Sequence, residues 1–344
     1  MLIYLFTFLL ALSLALYLTP MMRQAAIKFG LLSHPDGKLR VQTEPVPYLG
    51  GLAIYLAFLL ALAISFRFDQ MVLGILLGGT IILLVGMIDD FGVMAPWMKL
   101  FGQMIAVVAL LKAGIHIKIQ LILDVEPWQG FPILSYLLSA FWLVGISNAF
   151  NFLDIEDGLA GGVAFFSSLS LFAVAILNQS PVIATLTIAL AGALLGFLRY
   201  SFIPARIYLG DAGSLFLGLM LGALAMIGSY TERNPVALLA PILILGVACF
   251  EIGFTMLARV LRGIPVMHGS PDHVAKRLQK AGLRLRTTVI LHYISAVLLG
   301  GLAIVMMLSS LRAALIMVSS IALAGLIVTA LLLRIKPEKV SNDE

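Results

Sequence analysis

The chain has 344 residues, 61% hydrophobic and only 11% charged, with a mean hydropathy of +1.08 and a formal net charge of +5. Soluble domains carry about 25% charged residues, so the composition excludes a water-soluble globular protein and points to an all-α integral membrane protein. The lone cysteine, Cys249, excludes an intrachain disulfide and a thiolate zinc site, and the basic residues fall in short loops rather than in a nucleic-acid-binding patch.

The opening MLIYLFTFLLALSLALYLTP has neither a basic leader segment nor a small-residue cleavage site, and reads as a first membrane helix that is retained. A helix of about 20 apolar residues crosses a bilayer. Runs of that order cover 1–19, 48–66, 71–88, 99–116, 131–148, 159–177, 181–200, 214–230, 235–258, 287–308 and 313–333, so about eleven crossings are expected. The longest connections, 20–47 and 259–286, leave no space for a soluble domain. Residues 1–334 therefore read as one polytopic unit and 335–344 as a short cytoplasmic tail. Seventeen of the 22 Lys and Arg fall in one set of loops, which the positive-inside rule assigns to the cytoplasm. That places the N-terminus outside and the C-terminus inside. No internal repeat is evident.

The acids collect on the same expected face. Asp89 and Asp90 (GMIDD) end the third run, and Asp154, Glu156 and Asp157 (NAFNFLDIEDGLAGG) lie between the fifth and sixth. Asp211 (YLGDAGS) precedes the eighth, and Asp272 sits in the last long loop. Each has an ordinary reading: Asp89 and Asp90 as residues solvating a helix end, Asp211 as a cap in a Gly-rich turn. Neighbours on a helix point about 100° apart, so one of Asp89 and Asp90 is expected to face a shared site. Asn148, Asn151, Asp154 and Asp157 recur every third residue, a polar stripe along one face near a helix end expected to tighten or stop there. One N-cap needs one such side chain, not four. Carboxylates converging at a low-dielectric boundary repel unless some are protonated or a cation sits among them. All-oxygen donors favour Mg²⁺, with Mn²⁺ as a substitute. Because Mg²⁺ takes only one or two protein carboxylates and completes its shell with water and phosphate, a phosphate-bearing substrate is expected.

The basic loop 259–286 carries Arg259, Arg262, His268, His273, Lys276, Arg277 and Lys280. Such a cluster suits a polyanion such as a pyrophosphate, or merely marks a cytoplasmic loop near anionic lipid. His273 leads the helical run VAKRLQKAG and is preferred to His268, with a packing histidine as the alternative. Glu251 lies inside the ninth run, where a charge costs on the order of 3 kcal/mol; it is either functional or the partner of a polar group on another helix. Gly50 and Gly51 after PVPYL suggest a close helix approach.

Five motifs in order make the chain resemble the polyprenyl-phosphate N-acetylhexosamine-1-phosphate transferase family, glycosyltransferase family 4. They are EPVPYLGGLAI at 44–54, GMIDD at 86–90, NAFNFLDIEDGLAGG at 148–162, PARIYLGDAGS at 204–214 and DHVAKRL at 272–278. The chain looks closest to the bacterial undecaprenyl-phosphate GlcNAc-1-phosphate transferase branch, and lacks the triple-histidine run of the muramoyl-pentapeptide branch. It departs from the family pattern at Gln42, Val93, Ile155, Ser201 and Lys276, the last replacing the second histidine of the His-x-x-His form.

The resemblance implies a Mg²⁺-dependent enzyme of the inner membrane with its active site on the cytoplasmic face. A polyprenyl phosphate attacks the β-phosphate of a UDP-N-acetylhexosamine, and UMP leaves. Carried onto this chain, it makes Asp211, with Asp89, the metal ligands. Asp89 also lies near the lipid phosphate as base or orienter, with Asp90 beside it. Asp154 and Asp157, with Asn148 and Asn151, arrange metal, uridine and phosphate. His273, Lys276, Arg277 and Arg206 hold the pyrophosphate and sugar. A homodimer is left open. The alternative from another class is a secondary transporter or lipid flippase; a one-sided acid cluster without internal repeats weighs against it.

Overall fold

The computed structural model describes residues 1–33, 45–66, 69–92, 94–117, 131–263 and 272–335. His34, Gln42, Glu44, Val93, His268 and the tail from 336 lie outside the described residues. The chain runs α1 (Leu2–Lys28), β1 (Leu32–Ser33), β2 (Val46–Pro47), α2 (Gly50–Ser65), α3 (Gln70–Asp90) and α4 (Pro96–Lys112). It continues with α5 (Phe131–Leu153), α6 (Leu159–Leu177), α7 (Pro181–Ser201) and α8 (Gly210–Met226). After a 3₁₀ turn at Pro235–Leu239 come α9 (Ala240–Ile244), α10 (Gly246–Leu261), α11 (Val274–Lys280), α12 (Leu285–Leu308) and α13 (Leu311–Arg334).

Among the described residues, seven helices are long and apolar enough to cross a membrane, and an eighth crossing exists if the bent pair 235–244 and 246–261 counts as one. The expected eleven is therefore not what length and composition support. Helices α2, α4 and α8 have 16, 17 and 17 residues, short of the usual span. The run at 235–258, expected to be one straight crossing, bends by 77°. Hydropathy does not register that break, because the residues on both sides of it are equally apolar. The Ile244 carbonyl near the break accepts a hydrogen bond from Ser167 Oγ at 3.0 Å. In an apolar surrounding, such a substitute donor is what makes a broken helix tolerable.

Helix α8 forms the centre. Every residue from Ala212 to Ala225 is buried, as befits a helix that is apolar on all sides. It packs on α2, α3, α5 and α6. From α5, Trp142 Nε1 donates to the Gly222 carbonyl at 3.0 Å and Ser147 Oγ to the Leu215 carbonyl at 3.0 Å. At the other extreme, α13 buries only Ala314 and Leu332 and presents the rest of its apolar surface outward.

Two motifs distant in sequence fuse to set the start of α8. Tyr208 N–H donates to the Pro47 carbonyl (2.9 Å), Gly50 N–H to the Tyr208 carbonyl (3.0 Å) and Gly51 N–H to the Leu209 carbonyl (2.9 Å). The two segments approach so closely that a Cβ on Gly51 would lie 2.2 Å from the Gly213 nitrogen. The close approach expected from Gly50 and Gly51 is thus a backbone seam that holds the Gly-Asp turn in place.

Candidate active site

The last turn of α3 rests directly on the first turn of α8. A Cβ on Gly86 would fall 2.4 Å from Ala212 Cα, so only glycine permits the contact. That contact delivers Asp90, whose Oδ1 accepts the Asp211 N–H at 2.7 Å and whose Oδ2 accepts the Ala212 N–H at 3.1 Å. A helix leaves its first N–H groups unsatisfied, and here a carboxylate from another helix caps them and complements the dipole. Asp90 is therefore committed to α8, and Asp89, its neighbour, faces the shared site. Asp211 lies within the first turn of α8 rather than ahead of it.

Lys99, near the start of α4, is the centre of the cluster. Its Nζ lies 2.6 Å from Asp89 Oδ2, 2.8 Å from Asp211 Oδ2 and 3.3 Å from Asn151 Oδ1. Asn151 Nδ2 donates to Asp211 Oδ1 at 2.8 Å and to Ser214 Oγ at 3.0 Å. Four elements thus meet on one ammonium group: α3, α4, α5 and α8. One turn along α5, Asn148 and Gln103 of α4 bond reciprocally, amide to amide, at 3.1 Å in both directions. Asn148 braces the α4–α5 seam and does not itself enter the cluster.

Helix α5 ends at Leu153, within the polar stripe as expected, and Asp154 N–H falls back on the Asn151 carbonyl at 3.3 Å. Asp154 stands just past that end. Loss of water around its carboxyl, and then the Asp211, Asp90 and Asp157 carboxylates, hold it well above the usual carboxylate range. Asp157 accepts the Ala205 N–H at 2.8 Å, and burial raises its carboxyl against that hydrogen bond. Lys99 touches Asp89 and Asp211 and lies in contact with neither Asp154 nor Asp157.

The second acidic group is built differently. Glu251 on α10 is buried, and its Oε1 meets His273 Nδ1 at 2.9 Å, Val274 N–H at 3.3 Å and Thr255 Oγ1 at 3.3 Å. The ring of His273 lies 6.0 Å from that of Phe152, next to the Asn151–Asp154 turn. Asp272 is sealed between Arg262 NH1 (2.7 Å) and Arg277 NH2 (2.9 Å), and Arg277 NH1 donates to the carbonyls of Leu332 (2.9 Å) and Ile335 (2.8 Å). Lys276 Nζ lies 2.9 Å from Glu156 Oε1, which also accepts from Gln279 Nε2 at 2.5 Å.

The structure therefore brings Asp89, Asp90, Asn151, Asp154, Asp157 and Asp211 into one neighbourhood, with His273 at its edge. It does not bring Arg277 there, since that side chain is buried and its NH1 and NH2 groups tie α11 to the end of α13 and to Asp272, with Nε left without a partner among the described residues. Arg206 is exposed, its carbonyl accepting from Arg23 Nε at 3.0 Å. Lys99 and Gln103 were not among the sequence candidates. Lys99 carried a usable signal, a charge just inside an apolar helix, but it was counted only as a topogenic basic residue.

Among the described residues, no three His, Cys, Asp or Glu side chains form a metal-holding group. The donor set nevertheless suits a hard cation: Asp89 and Asp211 offer two carboxylates and Asn151 an amide oxygen, the modest protein share that Mg²⁺ takes before water and phosphate complete its shell.

The glycosyl transferase family 4 model matches residues 72–229, which include every member of the carboxylate–Lys99 cluster and exclude Glu251 and His273. Over 288 residues the chain is 30% identical to a probable undecaprenyl-phosphate N-acetylglucosaminyl 1-phosphate transferase of Bacillus subtilis, covering 83% of this chain and 80% of that protein. It is 30% identical over 312 residues to a decaprenyl-phosphate N-acetylglucosaminephosphotransferase of Mycolicibacterium smegmatis, covering 81% and 76%. It is 34% identical over 225 residues to a phospho-N-acetylmuramoyl-pentapeptide-transferase of Heliobacterium modesticaldum, covering 61% and 69%. With cluster, motif order and near-full-length relatives in agreement, the chain belongs to glycosyl transferase family 4.

Proposed function

We propose that this protein transfers N-acetylglucosamine-1-phosphate from UDP-GlcNAc to a polyprenyl phosphate such as undecaprenyl phosphate, releasing UMP in the first membrane step of cell-envelope polysaccharide synthesis. The observation that carries this reading is the convergence of Asp89, Asp154 and Asp211 on one neighbourhood at helix ends, with Lys99 as the cation in contact with two of them. Relatives named for GlcNAc-1-phosphate transfer to prenyl phosphates support the choice of sugar. An oxygen of the lipid phosphate attacks the sugar-bearing phosphorus of UDP-GlcNAc, the bond from that phosphorus to the bridging oxygen breaks, and UMP carries the bridging oxygen away. Such transfer needs positioning and charge neutralisation more than covalent chemistry.

In this reading Lys99 neutralises phosphate charge and Asp89 orients the attacking lipid phosphate. Asp90 fixes Asp211 by capping α8, with Asp157 anchoring the 154–158 turn beside it. Asp211, Asp89 and Asn151 would hold Mg²⁺, which when bound would supply charge neutralisation to the diphosphate. His273, oriented by Glu251, and Arg206 meet the donor from the opposite side. Lys276 acts through Glu156, and Arg277 holds α11 in place. Residues 1–334 form the catalytic domain, with eleven crossings when the short helices are counted. By the positive-inside rule the site and the 335–344 tail then face the cytoplasm across the inner membrane.

Detergent-solubilised protein given UDP-GlcNAc, undecaprenyl phosphate and Mg²⁺ should release UMP, and chelation should stop it. Asp211→Asn should abolish most of the release in a protein that still folds. Absence of UMP release across a panel of UDP-N-acetylhexosamines would sink the assignment.

A further inference from the structure

An open groove of about 540 Å³ adjoins the 154–158 turn through Phe202 and Tyr293. It is lined by Leu16 of α1, Leu195, Leu198 and Arg199 of α7, Phe202 just beyond, and Tyr293 of α12. None of the cluster residues lines it. Its inner wall supports the turn that carries Asp154 and Asp157. Tyr293 Oη donates to the Gly158 carbonyl at 2.6 Å, and a Cβ on Gly158 would lie 3.2 Å from Phe202 Cδ2. Three residues on from Phe202, the Ala205 N–H holds Asp157.

The groove has an apolar floor and a cationic end. Arg199 is part of the lining, and the Arg286 guanidinium sits over the Phe202 ring, 5.6 Å from its centroid. Both are exposed, and among the described residues neither takes part in an ion pair. Two unneutralised guanidiniums above an apolar trough match an amphiphile with an anionic head. Lys99, Asp89 and Asp211 are absent from the lining, so a phosphate held there does not rest on the carboxylate–Lys99 cluster.

We propose that this groove holds one anionic phospholipid, its acyl chains along Leu16, Leu195 and Leu198 and its phosphate on Arg199 and Arg286, and that the bound lipid braces the 154–158 turn. Occupancy makes turnover depend on membrane composition. The effect on rate rests on the proposed transferase activity, whereas the binding itself does not.

The test uses the full-length protein in phosphatidylcholine nanodiscs with increasing phosphatidylglycerol. Native mass spectrometry reads bound lipid, and UMP release is followed in parallel. The wild-type protein should retain one phosphatidylglycerol and its rate should rise several-fold to a plateau. Each guanidinium beside an anionic headgroup contributes on the order of fivefold in affinity, so Arg199→Gln with Arg286→Gln should weaken retention by roughly 30-fold and flatten the rate response. Leu195→Trp, which fills the trough from an exposed position, should expel the lipid without removing a charge. The proposal is overturned if the double variant keeps its phosphatidylglycerol. It is also overturned if the variants raise KM for the polyprenyl phosphate while the phosphatidylglycerol response persists, or if Leu195→Trp splits a dimer and leaves lipid retention intact. Retained lipid with no UMP release under any condition would instead count against the transferase reading alone.

Discussion

The two charged regions of this protein obey opposite rules. Around Asp272 the charges are matched: Asp272 meets two guanidiniums and Glu156 nearby an ammonium, while Glu251 meets the His273 ring through one oxygen and leaves its other, buried oxygen without a partner among the described residues. Around Asp211 the carboxylates of Asp89, Asp90, Asp154 and Asp157 gather, and among the described residues Lys99 is the one ammonium in contact, reaching Asp89 and Asp211 alone. A carboxylate held between two guanidiniums, as Asp272 is, is what a structural joint requires, because a buried ion without its partner is strongly destabilising. Unbalanced charge at a partly open surface marks a place where something charged is still to bind. The Asp272–Arg277 group is a clasp holding α11 against α10 and α13; the second region, with His273 at its edge, is the proposed site.

The contrast is sharpest at Lys99 and Arg277. Lys99→Met keeps the stem and removes the charge, and should lower UMP release by on the order of 10²–10³-fold, as loss of one transition-state charge donor does. Turnover within a fewfold of the parent would put Lys99 on the structural side of the comparison. Arg277→Ala should behave in the opposite way. Leaving Asp272 half-paired in a buried place costs about 3–5 kcal/mol, so folded yield and melting temperature should drop while turnover per folded molecule stays near the parent. An unchanged melting temperature with a collapsed rate would return Arg277 to the substrate role its place in the basic loop suggested.

Asp154 tests the same contrast through pH. Its carboxyl is raised above the ordinary range by burial and by neighbouring carboxylates, so the folded state holds the proton more tightly than the unfolded chain. The favourable contribution of the neutral form is complete below the unfolded value of about 3.9 and is lost as pH rises through the folded one. Asp154→Asn keeps the neutral shape at every pH. With chelator at neutral pH it should melt several degrees higher than the parent, a gain that vanishes in acid, while turnover falls. A lower melting temperature would mean that an unseen partner already neutralises Asp154. The smallest effect is expected at Lys276, whose pairing with Glu156 is partly exposed. Such pairs contribute roughly 0.2–1 kcal/mol, so Lys276→Met should change rate only a fewfold, and Lys276→Glu with Glu156→Lys should restore it.

Much of this contrast was legible in the residues and part was not. The polar stripe at Asn148, Asn151 and Asp154 announced a helix ending inside it, and α5 ends there, because side chains that compete for backbone hydrogen bonds favour helix ends wherever they occur. Asp90 was grouped with Asp89, yet the two do different work, since only contact with α8 shows which carboxylate meets free N–H groups. Arg277 was expected to hold the pyrophosphate, and Lys99 entered only the count of basic loop residues. Each is a basic residue near an apolar segment with an acid close by in sequence, and what separates them is the remote partner, Leu332, 55 residues from Arg277, and Asp211, 112 residues from Lys99.

From the string of residues alone came the membrane class, the all-α architecture, the acids converging from remote motifs and the family they resemble. These depend on hydropathy, period and spacing, which add up along the chain. Tertiary structure alone decided which helices are long enough to cross, where the 235–261 segment bends, and which charges are spent on each other. Charge compensation is a property of neighbours in space, and an ion's cost in a low-dielectric interior depends on groups a few ångströms away whatever their distance in sequence.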